Sequence, residues 1–123
     1  MRIISWNYRG LGNPSKVEAV KDLMKTEPVE ILLLQETKIE GDTLLEIRKK
    51  KWQKNSGKTV STRGSAGGIA TLWKEDQFKL VNTHNNQHWI FTELKHITIK
   101  LTISLFNLYV MVTYAEKKIV GNL

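Results

Sequence analysis

Cysteine is absent from the 123 residues, which removes disulfides, thiol nucleophiles and thiolate metal sites from consideration. No apolar run approaches the length of a membrane span. Met1 leads directly into an apolar segment without the pattern of a signal peptide, so the expected setting is intracellular. There is no internal repeat, low-complexity linker or break in composition, and residues 1–123 read as one domain. Acidic groups are scarce: 12 Asp and Glu face 19 Lys and Arg, for a net charge of +7. With a pI near 9.7, this imbalance favours a polyanionic partner. A hydrophobic content of 41% is ordinary for a globular domain and supplies a sizeable core.

Much of the positive charge lies in Arg48-Lys49-Lys50-Lys51-Trp52-Gln53-Lys54 and continues through Lys58 and Arg63. Arg48, Lys49, Lys50, Lys51 and Lys54 are candidate nucleic-acid contacts, which would give salt-sensitive affinity for phosphates without reading bases. Trp52 in their midst would stack on a base or sugar, or else pack on the sheet as a strand residue beside a solvated charged face. Arg9 is a further phosphate-facing candidate.

Two short apolar runs end in a polar side chain, where strands of α/β proteins open into ligand crevices. Ile3-Ile4-Ser5-Trp6 runs into Asn7, and Ile31-Leu32-Leu33-Leu34-Gln35 runs into Glu36. Between them Pro14-Ser15 opens an amphipathic segment with Val17, Val20, Leu23 and Met24 at helical spacing, closed by Glu27-Pro28. Strand, helix, strand with such a crossover predicts two parallel strands and puts Asn7 and Glu36 on one rim.

Trp6-Asn7-Tyr8-Arg9-Gly10-Leu11-Gly12, Leu34-Gln35-Glu36-Thr37 and Ser65-Ala66-Gly67-Gly68-Ile69-Ala70, in this order, resemble the endonuclease/exonuclease/phosphatase superfamily. The resemblance is strongest to the apurinic-type endonuclease domain of plant LINE-type (non-LTR) retrotransposons. It implies the N-terminal half of a DNase I-like four-layer α/β sandwich, with a mixed sheet and one or two helices. The expectation is that roughly the first sheet and its helix are present. By the same resemblance Asn7 organises the phosphate and Glu36 binds a catalytic magnesium ion. Tyr109, in Leu108-Tyr109-Val110-Met111, matches a phosphate-contacting Tyr, although Met111 stands where the family has Pro. The partner implied is DNA, and the location implied is the nucleus.

The Gly-Asp-Phe-Asn and Ser-Asp-His motifs of the family do not occur within the 123 residues. Phosphodiester hydrolysis needs a general base and a transition-state donor besides a metal ligand, so the chain alone is expected to be inactive or nearly so. Two alternatives keep the composition: a basic nucleic-acid-binding module without catalysis, and a phosphatase-like member acting on another phosphoester. An apolar sheet surface left uncovered would cost about 25 cal/mol per Å² and favour self-association.

The remaining candidates point to structure. His84 and His88 flank a polar turn, Asn85-Asn86-Gln87, and with His96 read as exposed loop histidines rather than a zinc pair. Asp42 reads as the N-cap of a helical segment from Thr43 to Arg48. Gly64 to Gly68 lacks the following Lys-Ser or Lys-Thr of a P-loop and reads as a tight turn into the strand Ile69 to Trp73. Beyond it, Phe78 to Val81, Trp89 to Leu94 and Ile97 to Val112 are predicted strands, antiparallel and joined by short turns, with strict alternation from Ile97 to Leu105.

Overall fold

The computed structural model describes residues 2–7, 9–11, 13–26, 29–52, 54–63, 66–108 and 118–122. Its elements, in chain order, are β1 (Arg2–Asn7), α1 (Pro14–Thr26), β2 (Ile31–Gln35), α2 (Gly41–Lys51), β3 (Asn55–Arg63), β4 (Ala66–Lys74), β5 (Phe78–Asn85), β6 (Trp89–His96), β7 (Thr102–Leu108) and β8 (Lys118–Asn122). A five-stranded sheet has the order β3-β4-β2-β1-β8, and a three-stranded sheet the order β5-β6-β7.

β1 and β2 are parallel, as the crossover required, with Asn7 opposite Gln35 at their C-terminal ends. The other pairings are antiparallel. Helix α1 starts where expected because Asn13 caps it: its side-chain oxygen accepts the Ser15 N–H at 2.9 Å, and Pro14 takes the first helical position, where a missing N–H costs nothing.

Alternation along β2 explains the layering. Leu32 and Leu34 face the helices, in a core with Ile4, Val17, Val20, Leu44, Trp52 and Leu72. Ile31 and Leu33 face the small sheet, in a second core with Trp73, Phe78, Leu94 and Ile103. Each fully buried Leu contributes about 1.5–3 kcal/mol. The result is helices, large sheet, small sheet. It is the expected mixed α/β architecture with more of the second sheet than the sequence promised, because β5 to β7 present their own inward face, burying Phe78, Ile90, Leu94 and Ile103. Among the described residues neither helix covers the outer face of the small sheet, where Phe106 (59% exposed) and Leu108 (53%) stand beside Phe91 and Trp89. No described helix is long and apolar enough to cross a membrane.

The structure corrects four expectations. Ile97 to Leu101 is a turn rather than strand, despite its alternation. The His96 Nδ1 accepts the Thr98 and Ile99 N–H groups, each at 3.2 Å, Lys100 is left-handed with φ of 58°, and the His96 N–H closes on the Leu101 carbonyl at 2.7 Å. Ile97, Ile99 and Leu101 are therefore exposed, and the strand begins only at Thr102. Helix α2 runs from Gly41 to Lys51, so Asp42 lies within its first turn, and the N-cap position belongs to Glu40, which makes no side-chain cap. Trp52, at the C-terminal cap of α2, is 1% exposed and its Nε1 donates to the Val17 carbonyl at 3.3 Å, so it neither stacks on a ligand nor sits in a strand. His84 and His96 are strand residues rather than loop histidines: His84 has its ring over Phe91, at 6.3 Å between centroids, and half-buried His96 ends β6 edge-on to Phe78 at 5.1 Å.

Candidate active-site rim

The C-terminal ends of β1 and β2 and the start of β4 are joined by backbone hydrogen bonds. The Gly10 N–H donates to the Glu36 carbonyl and the Leu11 N–H to the Thr37 carbonyl, both at 2.9 Å. On the other side the Thr37 N–H donates to the Gly68 carbonyl at 3.0 Å and the Lys38 N–H to the Gly67 carbonyl at 2.9 Å. The three sequence motifs thus meet in one ladder that continues past the strands, with Glu36 and Thr37 in the middle.

Three glycines in it have left-handed φ, Gly10 at 76°, Gly67 at 85° and Gly68 at 87°, and at Gly68 a Cβ would also collide with Thr37 Oγ1. Glu36 itself adopts φ of 58°, which costs a non-glycine residue on the order of 1–2 kcal/mol. The flanking hydrogen bonds hold it there. Such left-handed residues concentrate at functional sites.

The turn at Glu36 leaves a carboxylate at a residue only 3% exposed. No described residue donates a hydrogen bond or an ion pair to it. Its oxygens are not among the fully buried unpartnered polar atoms, so what solvent contact Glu36 keeps lies at the carboxylate, whose oxygens suit a hard divalent ion. Among the described residues no group of three His, Asp or Glu gathers around a common centre, so those residues offer the rim one carboxylate and not a complete cage. Asn7 lies half-buried at the end of β1, opposite Gln35 and one residue short of the Glu36 position in register. Tyr109 lies outside the described residues, as does Met111.

Beneath the rim runs a polar network that the sequence reading missed. Gln35 Nε2 donates to Asn107 Oδ1 at 2.8 Å and to Ser5 Oγ at 3.1 Å. Asn107, 1% exposed, gives its own amide protons to the Ala70 carbonyl at 2.8 Å, with the Leu34 carbonyl and Thr71 Oγ1 at 3.3 Å. One side chain of the small sheet therefore ties β2 to β4 directly under Glu36. The signal was present: Asn107 is the one amide in the apolar run Ile103 to Leu108, at the inward register of a strand.

Of the basic candidates only Arg9 adjoins this rim, next to Gly10 of the ladder. Arg9 is exposed on the loop after β1, its carbonyl accepting from Lys16 Nζ. Arg48 turns inward and donates from Nη1 to the Asn55 carbonyl, tying α2 to β3. Lys49 is exposed; Lys50 lies 4.0 Å from Glu46, and Lys51 lies 3.6 Å from Glu18. Arg48 to Lys51 form the last turn of α2, where cations complement the helix dipole, and Lys54 follows in a left-handed turn.

Several solved structures share this fold. An AP endonuclease from Leishmania major aligns with 18% identity over 89% of this chain and 40% of its own, at a TM-score of 0.66. A 3'-5' exonuclease from Neisseria meningitidis gives 19% identity, 89% and 41% coverage and a TM-score of 0.68. ANGEL2, a 2',3'-cyclic phosphatase, gives 12% identity, 91% and 41% coverage and a TM-score of 0.71. This chain thus spans about two-fifths of the length of each. No curated protein matches the sequence. Residues 4–110 match the family model described as Endonuclease/Exonuclease/phosphatase family, a span that contains the whole rim, and the chain belongs to that family.

Proposed function

We propose that the chain is part of a magnesium-dependent DNA phosphodiesterase domain of the retrotransposon endonuclease kind. In this reading its 123 residues hold the metal-binding portion of the site and do not turn over alone. The observation that carries it is the Glu36 carboxylate, without a side-chain partner among the described residues, on a residue held in a left-handed turn by three converging segments. Glu36 holds the cation through its carboxylate, and Asn7 supplies an amide beside it for a phosphate oxygen. When bound, the metal neutralises charge developing on the phosphoryl oxygens. The general base and the donor to the leaving oxygen have no candidate among the described residues of the rim, which is the reason for expecting no turnover. A location in the nucleus goes with this reading.

A phosphatase-like role on another phosphoester is the second reading. It is favoured by the likeness to a 2',3'-cyclic phosphatase at a TM-score of 0.71. The net charge of +7 supports DNA over a small substrate.

The test pairs a plasmid-nicking assay, in magnesium and in EDTA, with thermal unfolding of the same samples and of Glu36→Ala. The expected result is no nicking, together with stabilisation of the native chain by magnesium, about 1.4 kcal/mol at ten times its Kd, that Glu36→Ala abolishes. Nicking that requires both magnesium and Glu36 would overturn the inactivity. Magnesium stabilisation that survives Glu36→Ala would remove Glu36 from the metal role.

A further inference from the structure

At the end of the large sheet away from Glu36 the structure has a second polar concavity. Lys21 and Lys25 from α1, Lys50 and Lys51 from the end of α2, Lys54 after it and Lys74 at the end of β4 surround a groove of about 530 Å³. Among the described residues only one carboxylate, Asp76, lines it with them. The strand pairing fixes its place: Lys74 pairs with Asn55 and donates its N–H to the Glu30 carbonyl, just before β2 begins, whereas Glu36 follows the end of β2. Five residues of β2 at about 3.3 Å each separate the two sites by roughly 17 Å.

Lysines at helix ends have a simpler role, that of offsetting the dipole, and the magnitudes decide between the two. Lys50 and Lys51 are matched by Glu46 and Glu18. Lys21, Lys25, Lys54 and Lys74 have no ion pair among the described residues. Against these four stand Asp76 and two helix C-termini, each equivalent to about half a negative charge. Among the described residues about two positive charges remain over, confined in a concavity where their potentials add. Met24 and Trp52 line it beside the lysines, and its volume lies within the range of small-ligand sites.

We propose that this groove is a second phosphate-binding site, separate from the rim, that holds consecutive phosphodiester groups of a nucleic-acid strand. The choice of nucleic acid among polyphosphates rests on the function proposed above; the site itself does not. A duplex reaching from groove to rim spans about five base pairs at 3.4 Å each, so the groove anchors DNA outside the place of hydrolysis. Lys25 and Lys74 are the informative residues, because they come from outside the basic run and only the fold brings them to it.

The test is a fluorescence-anisotropy titration of a labelled duplex of about 20 base pairs over a range of salt concentrations. It is done in magnesium and in EDTA, on the native chain and on Lys25→Glu, Lys74→Glu and Lys49→Glu. The three substitutions change the charge equally, and circular dichroism checks that each variant keeps its fold. Lys25→Glu and Lys74→Glu are expected to weaken binding about tenfold at low salt and to lower the salt slope by about one each, while Lys49→Glu weakens it less than about threefold. Affinity that magnesium does not raise above its value in EDTA supports a site independent of the metal rim, whereas tighter binding in magnesium would overturn that independence. Equal losses from all three variants would show bulk charge and overturn the groove. Inorganic tripolyphosphate that binds through Lys25 and Lys74 while the duplex ignores them would overturn nucleic acid as the ligand. A failure of the metal reading alone leaves these salt slopes unchanged, so the two outcomes are distinguishable.

Discussion

The two ends of the large sheet are built by different means. Around Glu36 the backbone does the positioning: glycines with positive φ, left-handed residues and a ladder of amide hydrogen bonds fix one carboxylate. At the opposite end flexible lysines from α1, α2 and β4 face a groove without fixing one another. The first arrangement suits an ion that must be met at one distance. The second suits a phosphate chain, for which summed charge matters more than position.

That contrast implies unequal tolerance of substitution. The largest effect is expected for Gly68→Ala, where a left-handed φ is combined with a clash against Thr37 Oγ1 and, at 3.1 Å, the Lys38 nitrogen. A loss of about 3 kcal/mol in urea unfolding is expected, because the strain of φ and overpacking add. Gly67→Ala is the internal control: it shares the positive φ but meets nothing within 4 Å, so only about 1 kcal/mol should be lost. Equal losses would deny that the rim is sterically closed.

Next comes Asn107→Ala, which strips Gln35 of the nearer of its two acceptors and opens a cavity between the sheets. About 2 kcal/mol of stability should disappear. Since Gln35 adjoins Glu36, the stabilisation by magnesium should shrink along with it, whereas a residue that serves the fold alone would leave that stabilisation intact.

The smallest effect is expected at the groove. Lys25→Gln should change unfolding free energy by less than about 0.5 kcal/mol, as exposed residues outside packed features generally do. A larger loss would mean that the lysines order the groove instead of merely charging it.

Much of the rim was legible because its chemistry coincides with strand ends. An apolar run closing on Asn7 or Gln35-Glu36 marks both the element and the place where it opens. The parallel pairing followed from the length of the crossover. What stayed hidden depends on contacts distant in sequence. Asn107 reads as one polar residue in an apolar strand until β2 and β4 supply three acceptors for its amide. Ile97 to Leu101 alternates as a strand does, yet an imidazole that captures two amides outweighs the pattern. The basic run was visible as charge, but neither its place on the last turn of α2 nor its remoteness from Glu36 is written in local composition, because both come from the direction in which β2 and β4 run. Trp52 was misplaced for a related reason: flanking lysines suggest solvent, and only the packing of α2 on α1 buries it.

The position of β1 bears on how the site forms. Its neighbours are β2, reached across a helix, and β8, which pairs Asn122 with Arg2 from nearly the full length of the chain away. Hairpins such as β3–β4 and β5–β6 close short loops and can form early, whereas strands paired across long separations wait for the entropy of loop closure to be met. Asn7 is thus carried by the strand that comes first in chain order among these elements and that is one of the last to find its neighbours on both sides.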